Sequence, residues 1–286
     1  MINKLVIIGV GLIGGSLARA LKKAEACKEI IGSNRTVAQL KKAVELGVID
    51  RYDTDIAKAV AGADMIVLAV PVGSTEAILH QLNGHLDAKT VITDVGSTKQ
   101  SVIEAARAVF GKVPDNFVPG HPIAGTEQSG VEASSAQMFQ KRRVVLTPLP
   151  ETDARALNKV RMMWEQAGAE VAEMDARTHD EILAATSHLP HVLAYTLVDT
   201  LACMEQHADI FRFAAGGFRD FTRIAASDPV MWRDICLANR EAILKMIEKF
   251  GADLNRFGAA LRDKDSAALL ALLSSAKAAR DGLNNS

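Results

Sequence analysis

The chain is poor in cysteine: three among 286 residues (Cys27, Cys203 and Cys236), an odd number with no close spacing. That pattern argues against a disulfide framework or a zinc cluster and fits a reducing, cytoplasmic setting. An excess of one charge is lacking too. Lys and Arg number 33 against 34 Asp and Glu, so no basic field points to nucleic acid or an anionic membrane. No apolar run is long enough to span a bilayer. The opening MINKLVIIGVGLIGGSLARAL has the lysine-then-apolar look of a secretory leader. Glycines 9, 11, 14 and 15 interrupt it, and no small-residue cleavage site closes it cleanly. Repeats and low-complexity tracts are missing as well. The expectation is a globular cytoplasmic protein, whose 49% hydrophobic content suffices for two packed units.

Hydrophobic periodicity divides the chain. Lys4 to Gly9 (KLVIIG), Glu29 to Gly32, Ala63 to Val70 and Thr90 to Asp94 read as short buried strands. Ser16 to Lys23, Val37 to Leu46, Ser74 to Leu82 and Gln100 to Phe110 carry helical spacing. Such alternation predicts an α/β unit on a mostly parallel, doubly wound sheet. Arg143 to Thr147 and Glu170 to Met174 read as further strands flanking a helix over Thr152 to Gln166, which places the unit's end near Asp175. From Thr178 onward no strand run stands out. Apolar-periodic segments broken at Leu189-Pro190, Gly216-Gly217 and Asp228-Pro229 predict an all-helical domain over 176–286. Its alanine- and leucine-rich faces imply either a homodimer joined through this half or a well-packed bundle. The terminal GLNNS is expected to fray.

Gly9-Val10-Gly11-Leu12-Ile13-Gly14 is a G-x-G-x-x-G run between a buried strand and a helix, at the start of a βαβ unit. In that context Gly9 permits the turn, Gly11 admits a pyrophosphate, and Gly14 lets helix and strand close up. Leu12 and Ile13 open the helix whose free amides face the phosphates. This is a Rossmann-type dinucleotide site. The second strand ends Gly32-Ser33-Asn34-Arg35, without the acid that accepts from the ribose in an NAD site. Ser33 and Asn34 can donate to a 2′-phosphate and Arg35 can pair with it, so NADP is expected ahead of NAD. Arg35 reads alternatively as a residue that stacks on adenine without discriminating. Val70-Pro71 and Gly96-Ser97 lie at carboxyl ends of strands, the edge where open α/β sheets bind ligands. Ser97 belongs either to the nicotinamide end of that crevice or to the N-cap of the next helix.

Residues 120–130, GHPIAGTEQSG, hold too many glycines for a helix and too little alternation for a strand; they read as an ordered loop carrying His121. At this point the chain resembles the prephenate/arogenate (cyclohexadienyl) dehydrogenases. The resemblance rests on GVGLIGGSLA from Gly9, DVGSTK at 94–99, HPIAGTEQSG at 121–130, SHLPH at 187–191 and GGFRDFTRIAASDPVMW at 216–232. The blocks keep the family's order across nearly the whole chain. The first is generic to Rossmann folds, whereas the last three together are specific.

The resemblance implies oxidative decarboxylation of prephenate and/or arogenate, giving 4-hydroxyphenylpyruvate or tyrosine, with hydride transfer to NAD(P)+. It implies His121 as acceptor of the substrate's hydroxyl proton, a task that suits a group with a free pKa near neutrality. Ser97 would hydrogen-bond His121 or that hydroxyl. Arg223 matches the family's substrate-carboxylate arginine. Asp220 either orients it or caps a helix. His191 is a second substrate contact, unless SHLPH is only a helix start with Pro190 in its first turn. Thr126 and Glu127 lie on the substrate loop, and Trp232 packs or walls the pocket. No ligand cluster surrounds His188 and His191, so no metal is expected. Three alternatives stay open: an NADP-dependent β-hydroxyacid dehydrogenase, an imine reductase and a non-catalytic NADP-sensing protein. The absence of lysine between Thr178 and Leu197 counts against the first. The chain ends soon after its helical half, so any tyrosine feedback is expected at the active site.

Overall fold

The computed structural model describes residues 1–205 and 207–283; residues 284–286 of the GLNNS end lie outside them. Six strands, β1 (Ile2–Ile8), β2 (Cys27–Ser33), β3 (Arg51–Tyr52), β4 (Met65–Leu68), β5 (Val91–Asp94) and β6 (Phe117–Val118), pair in parallel in the order β3-β2-β1-β4-β5-β6. The intervening helices are α1 (Leu12–Lys23), α2 (Val37–Glu45), α3 (Ile56–Val60), α4 (Thr75–Leu82) and α5 (Gln100–Phe110). Every residue of β4 and β5 is buried, as central parallel strands covered on both faces require. Successive residues of β1 enter opposite layers: Leu5 and Ile7 pack with Leu17 and Leu21, while Val6 and Ile8 pack with Ile66 and Leu79. Strand order reverses between β1 and β4, which makes their carboxyl ends a topological switch point.

A second sheet holds β7 (Gly120–Pro122), β8 (Arg143–Leu146) and β9 (Glu170–Glu173), with β7 antiparallel and β9 parallel to β8. Helix α6 (Ala154–Gln166) connects β8 to β9. The sequence expectation is corrected here in two respects. Segments 143–147 and 170–174 form strands outside the main sheet, and His121 stands on a strand, its Cα opposite Val145, instead of on a loop. Three residues bracketed by glycine and proline carry no period of their own, so the pairing partner alone defines this strand.

From Ala176 the chain is helical: α7 (Ala176–Leu183), α8 (Leu189–Ala202), α9 (His207–Arg212), α10 (Gly216–Thr222), α11 (Pro229–Ala238), α12 (Arg240–Arg262) and α13 (Ser266–Gly282). The expected break at Leu189-Pro190 does not occur. A π-helical turn, Ala184–His188, joins α7 to α8, and Pro190 falls in the first turn of α8. The wider turn accommodates proline's missing amide. Asp228-Pro229 does open a helix, its carboxylate accepting from the Met231 amide at 2.8 Å. Contact density separates a unit spanning Met1–Arg240 from a second that begins at Glu241. In the second, Leu244, Ile247, Leu254 and Leu261 are exposed along α12 at helical spacing. Among the described residues, no helix is long and apolar enough to cross a membrane.

Candidate active site

Between β1 and α1 the backbone turns where only glycine fits. Gly9 has φ +101°, and a Cβ there would lie 2.2 Å from the Ala69 carbonyl oxygen. A Cβ at Gly14 would sit 2.3 Å from the Gly9 oxygen, so helix and strand approach each other over a hydrogen atom. At Gly11, by contrast, a Cβ would meet no protein atom within 4 Å. Gly11 borders a cleft also lined by Gly9, Ser33, Asn34, Arg35, Val70 and Pro71. Leu12, Ile13 and Gly14, in the first turn of α1, are not on that lining, and Gly96 lies beyond β5. The lining contains Arg35 and no carboxylate. Two expected donors to a 2′-phosphate are otherwise placed. Ser33 is buried; Asn34 accepts from the Val10 amide at 3.1 Å and donates to Gln39 at 3.3 Å. Arg35 is exposed. Open space at Gly11, a helix N-terminus behind it and a cleft of this polarity fit a dinucleotide.

Beyond β5 a buried polar network surrounds His121. The Asp94 carboxylate accepts from the Gly96 and Gly120 amides at 2.7 and 3.1 Å and from the Lys99 ammonium at 2.5 Å. Lys99, fully buried, also donates to the Gly120 carbonyl at 2.6 Å, tying β7 to the carboxyl end of β5. Burial pulls the Lys99 pKa down while Asp94 opposes the shift.

His121 itself is 8% exposed, and its Nδ1 lies 2.9 Å from His179 Nε2. His179 Nδ1 lies 2.8 Å from Asp180 Oδ1. Asp180 accepts from the Lys99 and Gln100 amides at 2.8 and 2.9 Å, where α5 begins. Asn239 donates to the Asp180 carbonyl at 2.8 Å and meets His188 Nδ1 at 3.1 Å. Burial, reinforced by His179, Lys99 and His188, holds His121 well below the ordinary 6.5. A neutral imidazole at pH 7 is the form that can take a proton. Ser97 is half-buried and makes no hydrogen bond to His121 among the described residues; His179 occupies the ring's Nδ1 side instead. Nor does Ser97 cap α5, since the N-cap is Lys99.

On the helical side, His191 stacks on Trp232 with ring centroids 3.7 Å apart, and its Nδ1 lies 2.9 Å from the Ser187 carbonyl. His188 meets the same indole edge-on at 6.0 Å. The His191 pKa is lowered chiefly by burial, opposed by the hydrogen bond to the Ser187 carbonyl and reinforced by the Arg223 charge. Arg223 donates to Glu127 at 2.9 Å across an exposed ion pair. Among the described residues Asp220 makes no hydrogen bond to Arg223, and it lies inside α10, whose N-cap is Ala215. Thr126, beside Glu127, accepts from the Gln128 amide at 3.3 Å. Helices α8 and α11 thus bring His191 and Trp232 together, and the Glu127 loop comes to Arg223.

Residues 17–173 match the family model for the prephenate dehydrogenase nucleotide-binding domain, and residues 175–275 match its dimerization domain. The chain belongs to the prephenate dehydrogenase family. It is 39% identical to the cyclohexadienyl dehydrogenase of Zymomonas mobilis, over 93% of this chain and 91% of that protein. With the prephenate dehydrogenase of Bacillus subtilis it shares 37% identity over 99% of this chain and 76% of the relative. Among solved structures, Aquifex aeolicus prephenate dehydrogenase in complex with hydroxyphenyl propionate and NAD+ aligns at TM-score 0.92 and 36% identity, over 99% of both chains. Synechocystis arogenate dehydrogenase aligns at TM-score 0.81 and 28% identity, over 98% and 99%. Mycobacterium tuberculosis 3-hydroxyisobutyrate dehydrogenase reaches TM-score 0.57 at 14% identity, a likeness of fold alone.

As a prephenate dehydrogenase family member the chain is an NAD(P)-dependent oxidoreductase. Sequence reading does not single out Asp94, Lys99, His179, Asp180 or Asn239. Asp94 and Lys99 stand inside DVGSTK, where their hydrogen bonds to each other and to Gly120 have no sequence signature. His179-Asp180 resembles a polar helix start, and only folding brings it to a histidine 58 positions away.

Proposed function

We propose that this protein oxidatively decarboxylates prephenate and/or arogenate, giving 4-hydroxyphenylpyruvate or tyrosine, with NADP+ preferred to NAD+. The observation that carries this reading is a buried, neutral His121 tied to the carboxyl end of β5, at the edge where an open α/β sheet binds ligands. Gly9, Gly11 and the N-terminus of α1 (Leu12, Ile13 and Gly14) would hold the pyrophosphate of a nicotinamide dinucleotide, which would supply the hydride acceptor. His121 accepts the proton of the substrate hydroxyl. The ring carboxylate departs as CO2, and its C–C electron pair restores aromaticity. Arg223 binds a substrate carboxylate, while His191 and Trp232 wall the ring; Thr126 and Glu127 border that side, and Ser97 and Gly96 lie toward the nicotinamide.

The preference for NADP+ is supported by Arg35 in a cleft lining that lacks any carboxylate. Kinetics with prephenate and arogenate, each with NAD+ and NADP+, tests both parts. Turnover of neither substrate removes the reaction, and a higher kcat/KM with NAD+ removes the cofactor preference. The exposed apolar stripe on α12 supports a homodimer through the 176–286 half. Three free cysteines support a cytoplasmic setting.

A further inference from the structure

We propose that His179 and Asp180 are positioning residues that hold His121 in the one tautomer able to take the substrate's proton at Nε2. The basis is a count of hydrogens along the buried contacts. Each Asp180 oxygen accepts a backbone amide from the start of α5, Lys99 at 2.8 Å and Gln100 at 2.9 Å, and the helix N-terminus favours the anion. An ionised carboxylate only accepts. His179 Nδ1, 2.8 Å from Asp180 Oδ1, therefore carries a hydrogen. A neutral His179 then has its lone pair on Nε2, so His121 must be the donor across the 2.9 Å contact to its Nδ1. The remaining lone pair of His121 sits on Nε2. Reversing either ring would set two lone pairs or two N–H groups face to face, between side chains of which His179 is 0% and Asp180 1% exposed.

When the substrate hydroxyl is oxidised, its O–H bond breaks, the electron pair stays with the substrate oxygen, and a new N–H bond forms at His121 Nε2. The imidazolium keeps its Nδ1–H donated to His179, with the Asp180 charge one ring away. Asp180 thus does for this base, through an intervening imidazole, what the aspartate of a serine protease triad does directly. Because Asp180 is also the carboxylate that receives the first amides of α5, the tautomer is set by the same contact that fastens α7 to the Rossmann unit.

The inference rests on His121 as the base, and the first experiment is independent of substrate. Nitrogen NMR of histidine-labelled wild-type protein, with His121→Asn to assign the signal, is expected to show hydrogen on Nδ1 and a lone pair on Nε2. Hydrogen on Nε2 overturns the proposal whatever the substrate proves to be. Kinetics reads the consequence. An asparagine at 180 can offer its NH2 to His179 and reverse the ring, so Asp180→Asn should lower kcat by about 100-fold or more, leaving KM and NADP+ affinity within about threefold. His179→Gln, which can accept from His121 and donate to Asp180, should turn over about tenfold faster than His179→Leu. Wild-type kcat in Asp180→Asn, or equal rates in the Gln and Leu variants, overturns the proposal. If Asp180→Asn does not fold, the tautomer measurement and the His179 pair decide.

Discussion

A histidine accepts a proton only in its neutral form, and at His121 burial favours that form further, with His179, Lys99 and His188 adding to it. The sign of the pH dependence follows. With His121 as the proposed base, the active form of the free enzyme is the neutral ring, and a lowered pKa keeps that form populated below the ordinary 6.5. The acid limb of kcat/KM should therefore fall below pH 6.5, and a limb at or above that value contradicts the burial argument. Removing the base is the direct counterpart. His121→Asn should lose roughly 1000-fold in kcat, within the range of general-base contributions. NADP+ titration should still give near wild-type affinity, because the cleft lining does not include residue 121. Unchanged turnover would take His121 out of the mechanism.

Single elements do their work through contacts at their ends. The carboxyl ends of β1 and β4 and the first turn of α1 meet at Gly9, where an added Cβ would overlap the Ala69 carbonyl oxygen. Gly9→Ala is expected to cost about 2 kcal/mol or more of stability through overpacking and a disfavoured backbone. It should also abolish NADP+ binding, as thermal unfolding and a fluorescence titration would show; binding at wild-type affinity would mean that the turn is not the phosphate site. The start of α5 is a second such point, its amides met by a carboxylate from α7, 80 residues away in sequence. The π-turn is a third. It carries His188 at its end, and one turn later His191 faces Trp232.

For the whole molecule, the buried imidazoles make stability depend on pH. His188 stays neutral down to about 4 in the folded protein, chiefly through burial, against an ordinary 6.5. Between those values the unfolded chain binds more protons, so stability falls as pH falls through that window. The loss from His188 alone is on the order of 3 kcal/mol, and His121 adds a shift of the same sign. Denaturant unfolding between pH 7 and 4 should show it, and a flat profile would be inconsistent with both shifts. Assembly is a separate question. Leu254 and Leu261 are 59% and 55% exposed in the single chain. Changing both to Glu should convert a dimer to monomer by light scattering, whereas an unaltered mass would place the interface elsewhere.

By itself the sequence determined the elements whose reasons are local. Continuous apolar runs made buried parallel strands, G-x-G-x-x-G stood at a tight turn between strand and helix, and Asp228-Pro229 marked a break between helical segments. His121 and Arg223 were legible through motif resemblance, since each stands in a block whose residues occur together. Tertiary structure decided what has no local period. The three-residue strand that carries His121 exists because β8 pairs with it. Arg223 takes Glu127 as its partner in place of the nearby Asp220 because the loop approaches it in space. The line His121–His179–Asp180 joins two elements, β7 and α7, and runs on to the Lys99 amide at the start of α5; these share no sequence pattern, and the contacts between them depend on the fold for their distances. Hydrophobic patterning acts over a few residues and writes itself into the chain, whereas a buried polar network is specified only where burial removes water as the alternative partner.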